Sequence, residues 1–152
     1  GYDGEFGNST FSIGLGYYDF SEFTAVELDG NIVEVTDFPG GKQWSGGLGF
    51  GTDMFDAKII YTRIDFDDEG GEHDWAGIGL GADVADFRID AYYAQLVKSD
   101  IDALDGLQTY GIGATYDLGG GARVEGGVAS VMSLLDADDG YVVADFGIGM
   151  SF

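Results

Sequence analysis

From residue 9 to residue 152 the sequence returns eight times to an alternation of period two. Successive side chains of a strand point to opposite faces, so this period prescribes strands with two chemically distinct sides. The runs are STFSIGLGYYDF, KQWSGGLGF, FDAKIIYTRID, HDWAGIGLGAD, DFRIDAYYAQ, QTYGIGATYD, ARVEGGVASVM and YVVADFGIGMSF. In the first, Phe11, Ile13, Leu15 and Tyr17 oppose Ser12, Gly14, Gly16 and Tyr18. In the last, Val142, Ala144, Phe146, Ile148 and Met150 oppose Asp145, Gly147 and Gly149. No segment sustains a helical period, and none approaches the ~18 consecutive apolar residues of a membrane helix. Each run is close to the ~9–11 residues with which a tilted strand crosses a bilayer.

The connections alternate in length. GTDM, DVAD and DLGGG are short, whereas SEFTAVELDGNIVEVTDFPGGK, DFDDEGGEH, KSDIDALDG and LDADDG are longer and acidic. Short turns on one side and long loops on the other are the pattern of outer-membrane barrels. The net charge of -22 sits mainly in and beside those loops: residues 19–37, 65–74, 100–105 and 136–139 hold 18 of the 28 acidic residues. Such a charge repels phosphate and excludes nucleic acid as a partner. Cysteine is absent, which excludes a disulfide framework and a thiolate metal site. GYDGEFGNST shows no signal peptide, so the chain is expected to be mature or cut from something longer.

The apolar face carries aromatics at both ends. Phe11, Phe50, Phe55, Phe87, Tyr116 and Phe152 lie toward the short turns, and Tyr17, Trp44, Tyr61, Tyr93 and Tyr110 toward the long loops. Two such rings around an aliphatic middle match the interfacial girdles of a membrane barrel, with Trp44, Tyr61, Tyr93 and Phe152 as anchors. A soluble up-and-down barrel of the lipocalin type would instead turn its glycine-rich face to water, and glycine weakens strands. The expected fold is therefore an all-β, antiparallel transmembrane β-barrel of eight strands. Its other face is bare, with glycines at 14, 16, 47, 49, 77, 79, 81, 111, 113, 127, 147 and 149. Too few large groups remain to plug a closed eight-stranded barrel, so the bare wall suits a wider, water-filled lumen.

YGIGATYDLGGGARVEGGV, followed by a short loop and a final strand ending in Phe, resembles the carboxy-terminal hairpin of the general diffusion porins of photosynthetic alphaproteobacteria. AYYA and YTRID fit the same family more weakly. The resemblance implies that residues 1–152 form the carboxy-terminal half of a sixteen-stranded barrel, with GEFGNS as a short periplasmic turn. It implies a homotrimer in the outer membrane of a Gram-negative bacterium, in contact with lipid and lipopolysaccharide, that passes small hydrophilic solutes and ions. The family's constriction loop lies in the other half. The alternative is a stand-alone eight-stranded barrel with an adhesion, binding or structural role and no continuous pore.

No catalytic constellation is legible, and no enzyme activity or cofactor is expected. His73, the only histidine, reads as a solvated loop residue with no serine partner. Lys58, Arg88, Asp90, Tyr92, Arg123 and Glu125 share the glycine face and are the candidate pore-lining residues, because lumen-facing charges set the field of a channel. The pairs Arg88/Asp90 and Arg123/Glu125 could equally tie the wall together. Arg63 falls on the apolar face beside a loop, where its stem can snorkel. Asp65, Asp67, Asp68 and Glu69 supply hard oxygen ligands for a weak Ca²⁺ site, without the EF-hand spacing. A merely solvated acidic loop is the competing reading. DLGGG precedes no helix and is a turn, not a phosphate loop.

Overall fold

The computed structural model describes residues 1–29, 32–67, 71–104, 106–131 and 140–150, with the backbone alone at 23–29, 32–38, 103 and 131. Among these residues the chain forms a nine-stranded antiparallel sheet and a separate two-stranded hairpin. The strands are β1 (Tyr2–Phe6), β2 (Ser9–Phe20), β3 (Phe23–Asp29), β4 (Ile32–Phe38), β5 (Gly41–Thr52), β6 (Phe55–Phe66), β7 (Glu72–Val84), β8 (Phe87–Ser99), β9 (Gln108–Gly119), β10 (Ala122–Val131) and β11 (Tyr141–Met150). The main sheet runs β1-β2-β5-β6-β7-β8-β9-β10-β11, each strand beside its sequence neighbour apart from the inserted hairpin. All eight alternating runs are strands of it.

The short turns are tighter than the sequence suggests. Phe6 pairs with Ser9, so Gly7 and Asn8 alone turn the chain, and the rest of GEFGNS is strand. Gly7 has φ 62°, a left-handed value that glycine adopts without steric cost. Val84 pairs with Phe87 around Ala85–Asp86, and Ala85 takes φ 55° although it is not glycine. Gly119, Gly120 and Gly121 all have positive φ; Asp117–Gly119 of DLGGG close β9 and Gly120–Gly121 make the turn. At the β5–β6 turn the Thr52 hydroxyl accepts from the Phe55 amide at 3.1 Å.

Two of the long connections depart from the reading as plain loops. The segment between β2 and β5 contains the β3–β4 hairpin, in register from Phe23↔Phe38 to Asp29↔Ile32. Its strands are rich in β-branched residues, which suit a pleated backbone. The segment after β8 includes one 3₁₀ turn, Asp102–Leu104.

The ladders fix the two faces without ambiguity. Ile13↔Leu48, Leu48↔Ile59, Ile59↔Ile78, Ile78↔Tyr93 and Tyr93↔Tyr110 make one continuous apolar row from β2 to β9. Below it, Phe11, Phe50, Ala57, Leu80, Ala91, Ile112, Val128 and Ala144 make a second, from β2 to β11. These side chains lie uncovered, with Leu15 83 % and Ile148 69 % accessible, whereas Leu96 and Leu107 are the buried hydrophobics among the described residues. An apolar face of this extent is unstable in water and needs another apolar phase against it. No described helix is long and apolar enough to cross a membrane; strands of this length are.

The strands at the two edges, β1 and β11, each have one neighbour. The ladder between first and last strands that a complete small barrel requires is absent among the described residues.

Candidate pore-lining face

The register places Lys58, Arg88, Asp90, Tyr92, Arg123 and Glu125 on the face opposite the apolar rows. Lys58 lies between Gly49 and Gly79, Tyr92 between Gly79 and Gly111, and Asp90 between Gly81 and Gly113. Arg88 pairs across to Thr115, which pairs with Glu125, which pairs with Gly147. Two-residue alternation on each strand and matched hairpin turns are sufficient to gather these groups. A recess of about 720 Å³ lies over them, lined among others by Asp56, Lys58, Arg88, Tyr92, Glu125 and Asp145.

Both expected ion pairs form. Arg88 Nη2 is 2.9 Å from Asp90 Oδ1, and Arg123 Nε is 2.9 Å from Glu125 Oε2. Arg88 also reaches Asp83 at 3.0 Å and binds Asp56 on β6. A single guanidinium thus holds three carboxylates from three consecutive strands, using the fixed fork of donors that lysine lacks. Asp56 and Asp83 were missed as partners. The signal was present: the turn at 85–86 puts Asp83 opposite Arg88, and Asp56 shares its face with Lys58 two residues on.

Glycine on this face makes room for the arginines. A Cβ built on Gly81 would lie 2.5 Å from Arg88 Cζ and 2.7 Å from Asp56 Oδ1. At Gly149 it would lie 2.9 Å from Arg123 Nε, and at Gly111 2.7 Å from the Tyr92 ring. Such distances are shorter than real Cβ contacts, so each large side chain lies flat over a glycine of the adjacent strand. Gly79 and Gly14 have no such neighbour and leave the wall open.

On the apolar face the aromatics meet as cross-strand pairs. Tyr17 and Trp44 have ring centroids 4.3 Å apart at the long-loop end. Phe11–Phe50 and Phe87–Tyr116, at 5.2 and 4.6 Å, occupy the short-turn end. Trp44, Tyr61 and Tyr93 are exposed at the long-loop end. The Tyr93 hydroxyl lies 3.0 Å from Gln95 Oε1 and 3.1 Å from Gln108 Oε1, its single proton shared between the two acceptors. Phe152 lies outside the described residues.

Arg63 does more than extend its stem. Its guanidinium grips Asp74 with two bonds of 2.9 Å and stands 3.3 Å from Glu72. A bulge opposite Asp74 and Trp75 skips Val97 and brings Lys98 into register with Asp74, where it pairs with Glu72. The reading of His73 is corrected. It belongs to β7, is 7 % exposed, packs edge-on against Phe66 at 5.5 Å, and its Nδ1 is 3.0 Å from Ser99 Oγ. The Ser99 oxygen also accepts from the Ile101 amide and donates to its carbonyl, each at 3.0 Å, so the pair fastens the turn after β8. The histidine is buried because its alternation parity, set with Trp75 and Leu96, turns it toward the Phe66 side of the sheet.

Of the candidate calcium ligands, Asp68 and Glu69 lie outside the described residues. Asp65, next to last in β6, is in register with Lys42 and Glu72, and the Asp67 amide donates to the Gly40 carbonyl at 2.8 Å. Among the described residues no three acidic or histidine side chains are placed to hold a metal ion.

An antiparallel sheet with membrane-length strands, an uncovered apolar face between aromatic girdles and a charged glycine face defines a transmembrane β-barrel wall. A model of the Gram-negative porin family matches residues 1–133, and the chain belongs to that family. It is 43% identical over 60 residues to a porin from Rhodobacter capsulatus, a match covering 40% of this chain and 18% of the relative. The matched segment is therefore a minor part of that relative's length. No solved structure matches. Membership places the chain in the outer membrane of a Gram-negative bacterium.

Proposed function

We propose that the protein forms a water-filled channel for passive diffusion of small hydrophilic solutes and ions. One observation carries this: the ladders put Lys58, Arg88, Asp90, Tyr92, Arg123 and Glu125 on a single bare face, back to back with an unbroken apolar one. Charged groups on the inner wall of a barrel meet water and passing solutes, while the opposite side meets lipid. The wall is completed by further strands hydrogen-bonded to β1 and β11, because unpaired backbone groups cost several kcal/mol each in hydrocarbon. With such a wall the lumen is wide enough to conduct, and the protein assembles as a homotrimer in contact with lipid and lipopolysaccharide. Its acidic loops take up Ca²⁺ weakly. The test is conductance of the full-length protein in planar bilayers, with liposome swelling in sugars of increasing size. Discrete, size-limited conductance is the expected result; a sealed bilayer would overturn the reading.

A further inference from the structure

Resting on the channel reading, we propose that this face is a cation filter decided by Asp145, Asp3, Glu5 and Lys58, with the two arginines serving as struts. Arginines on a channel wall invite the opposite reading, as attractors of anions. The geometry removes that role. Arg88 is engaged by Asp56, Asp83 and Asp90 together, a cluster with more negative than positive charge. An anion approaching that guanidinium meets three carboxylates first. Arg123 is neutralised by Glu125. Both guanidiniums lie pressed over glycines of the neighbouring strand, at Gly81 and Gly149, which holds them against the wall rather than out in the lumen.

The groups left to act on a passing ion are different ones. Lys58 is exposed and has no ion-pair partner among the described residues. Asp145 shares its row with Gly127 and Asp90, is exposed, and likewise has no cationic partner there. Asp3 and Glu5, opposite Ser12 and Thr10, are exposed in the same way. Three free carboxylates and a net-negative Arg88 cluster therefore face one free ammonium. Between low-dielectric walls such an imbalance concentrates counter-ions of one sign.

The experiment is the reversal potential of the full-length protein in planar bilayers under a tenfold KCl gradient. Wild type is expected to prefer K⁺ over Cl⁻. Asp145→Asn should lower, and Lys58→Gln raise, the permeability ratio roughly twofold at ~0.01 M salt, where the Debye length is ~30 Å, and much less at 1 M. Met54→Leu, which alters no charge and lies in the β5–β6 turn away from the pore-lining set, should leave it unchanged. Anion preference in wild type, or ratios for both charge variants equal to wild type at low salt, would overturn the filter while leaving the channel standing. Absence of conductance would overturn both.

Discussion

The guanidinium of Arg88 lies across the Cα of Gly81, and the space it fills is the space a side chain at 81 would need. Two residues away on the same strand and face, Gly79 has a single atom, the Ala91 carbonyl oxygen, 4.0 Å from a built Cβ. The two glycines look alike in sequence and differ in structure. Gly81→Ala should displace Arg88 from Asp56 and cost about 1–3 kcal/mol, the usual range for overpacking. Gly79→Ala should be neutral or gain up to ~1 kcal/mol, since alanine loses less backbone entropy in a strand. Urea unfolding from lipid vesicles separates the two; equal effects would mean that the seat is not occupied.

Ile78, paired with Ile59, and Ile112, paired with Ala91 and Val128, sit within the apolar rows. Lysine at either position should cost about 2–4 kcal/mol near the bilayer midplane, whereas Gly79→Ser on the other face should be mild. Refolding titrations of the three variants test which face meets lipid. Equal tolerance would reverse the assignment.

Much of this was legible because a period of two constrains both faces of a strand at once. The alternation of Phe11–Tyr17 and of Val142–Met150 sets their faces, and turn length then sets the cross-strand register. What alternation cannot convey is which residues of adjacent hairpins fall side by side. Asp56 and Arg88 are separated by 32 residues, and their contact depends on the register of β6 on β7 and of β7 on β8 together. His73 was misjudged because its acidic neighbours suggested a loop, while the strand extends back to Glu72. The β3–β4 hairpin was hidden for a similar reason, its acidic residues masking a β-branched pattern.

Arg63 and Asp74 form a two-bond pair whose carboxylate is almost covered, at 5% side-chain exposure. Arg63→Ala leaves that carboxylate without its donors and should destabilise by about 1–3 kcal/mol. Lys98→Ala removes a more exposed partner of Glu72 and should cost less than ~1 kcal/mol. A double-mutant cycle over Arg63 and Asp74 should show coupling that persists at high salt. Additive losses would identify the pair as incidental.

Calcium binding is expected to be weak and to depend on Asp65, Asp67, Asp68 and Glu69. Isothermal calorimetry on wild type and on the Asp67→Asn, Asp68→Asn double variant should show heat lost in the variant. Identical isotherms would identify the loop as solvated and unliganded.

The edge strands give the sharpest test of how the wall is completed. In an antiparallel ladder every second N–H points to a given neighbour, so β11 directs half of its amides to β10 and half outward. Nothing in the described residues accepts the outward set, which includes residues between Tyr141 and Met150. The same holds for the side of β1 away from β2. If further strands pair there in the folded full-length protein, the outward amides of β11 should exchange with deuterium as slowly as those bonded to β10. The central strands β7 and β8 provide the protected reference, being paired on both sides. Residue-resolved hydrogen exchange in detergent micelles reads the comparison directly. Alternating protection along β11, slow at one residue and fast at the next, would show an open edge and exclude the completed lumen on which conduction depends.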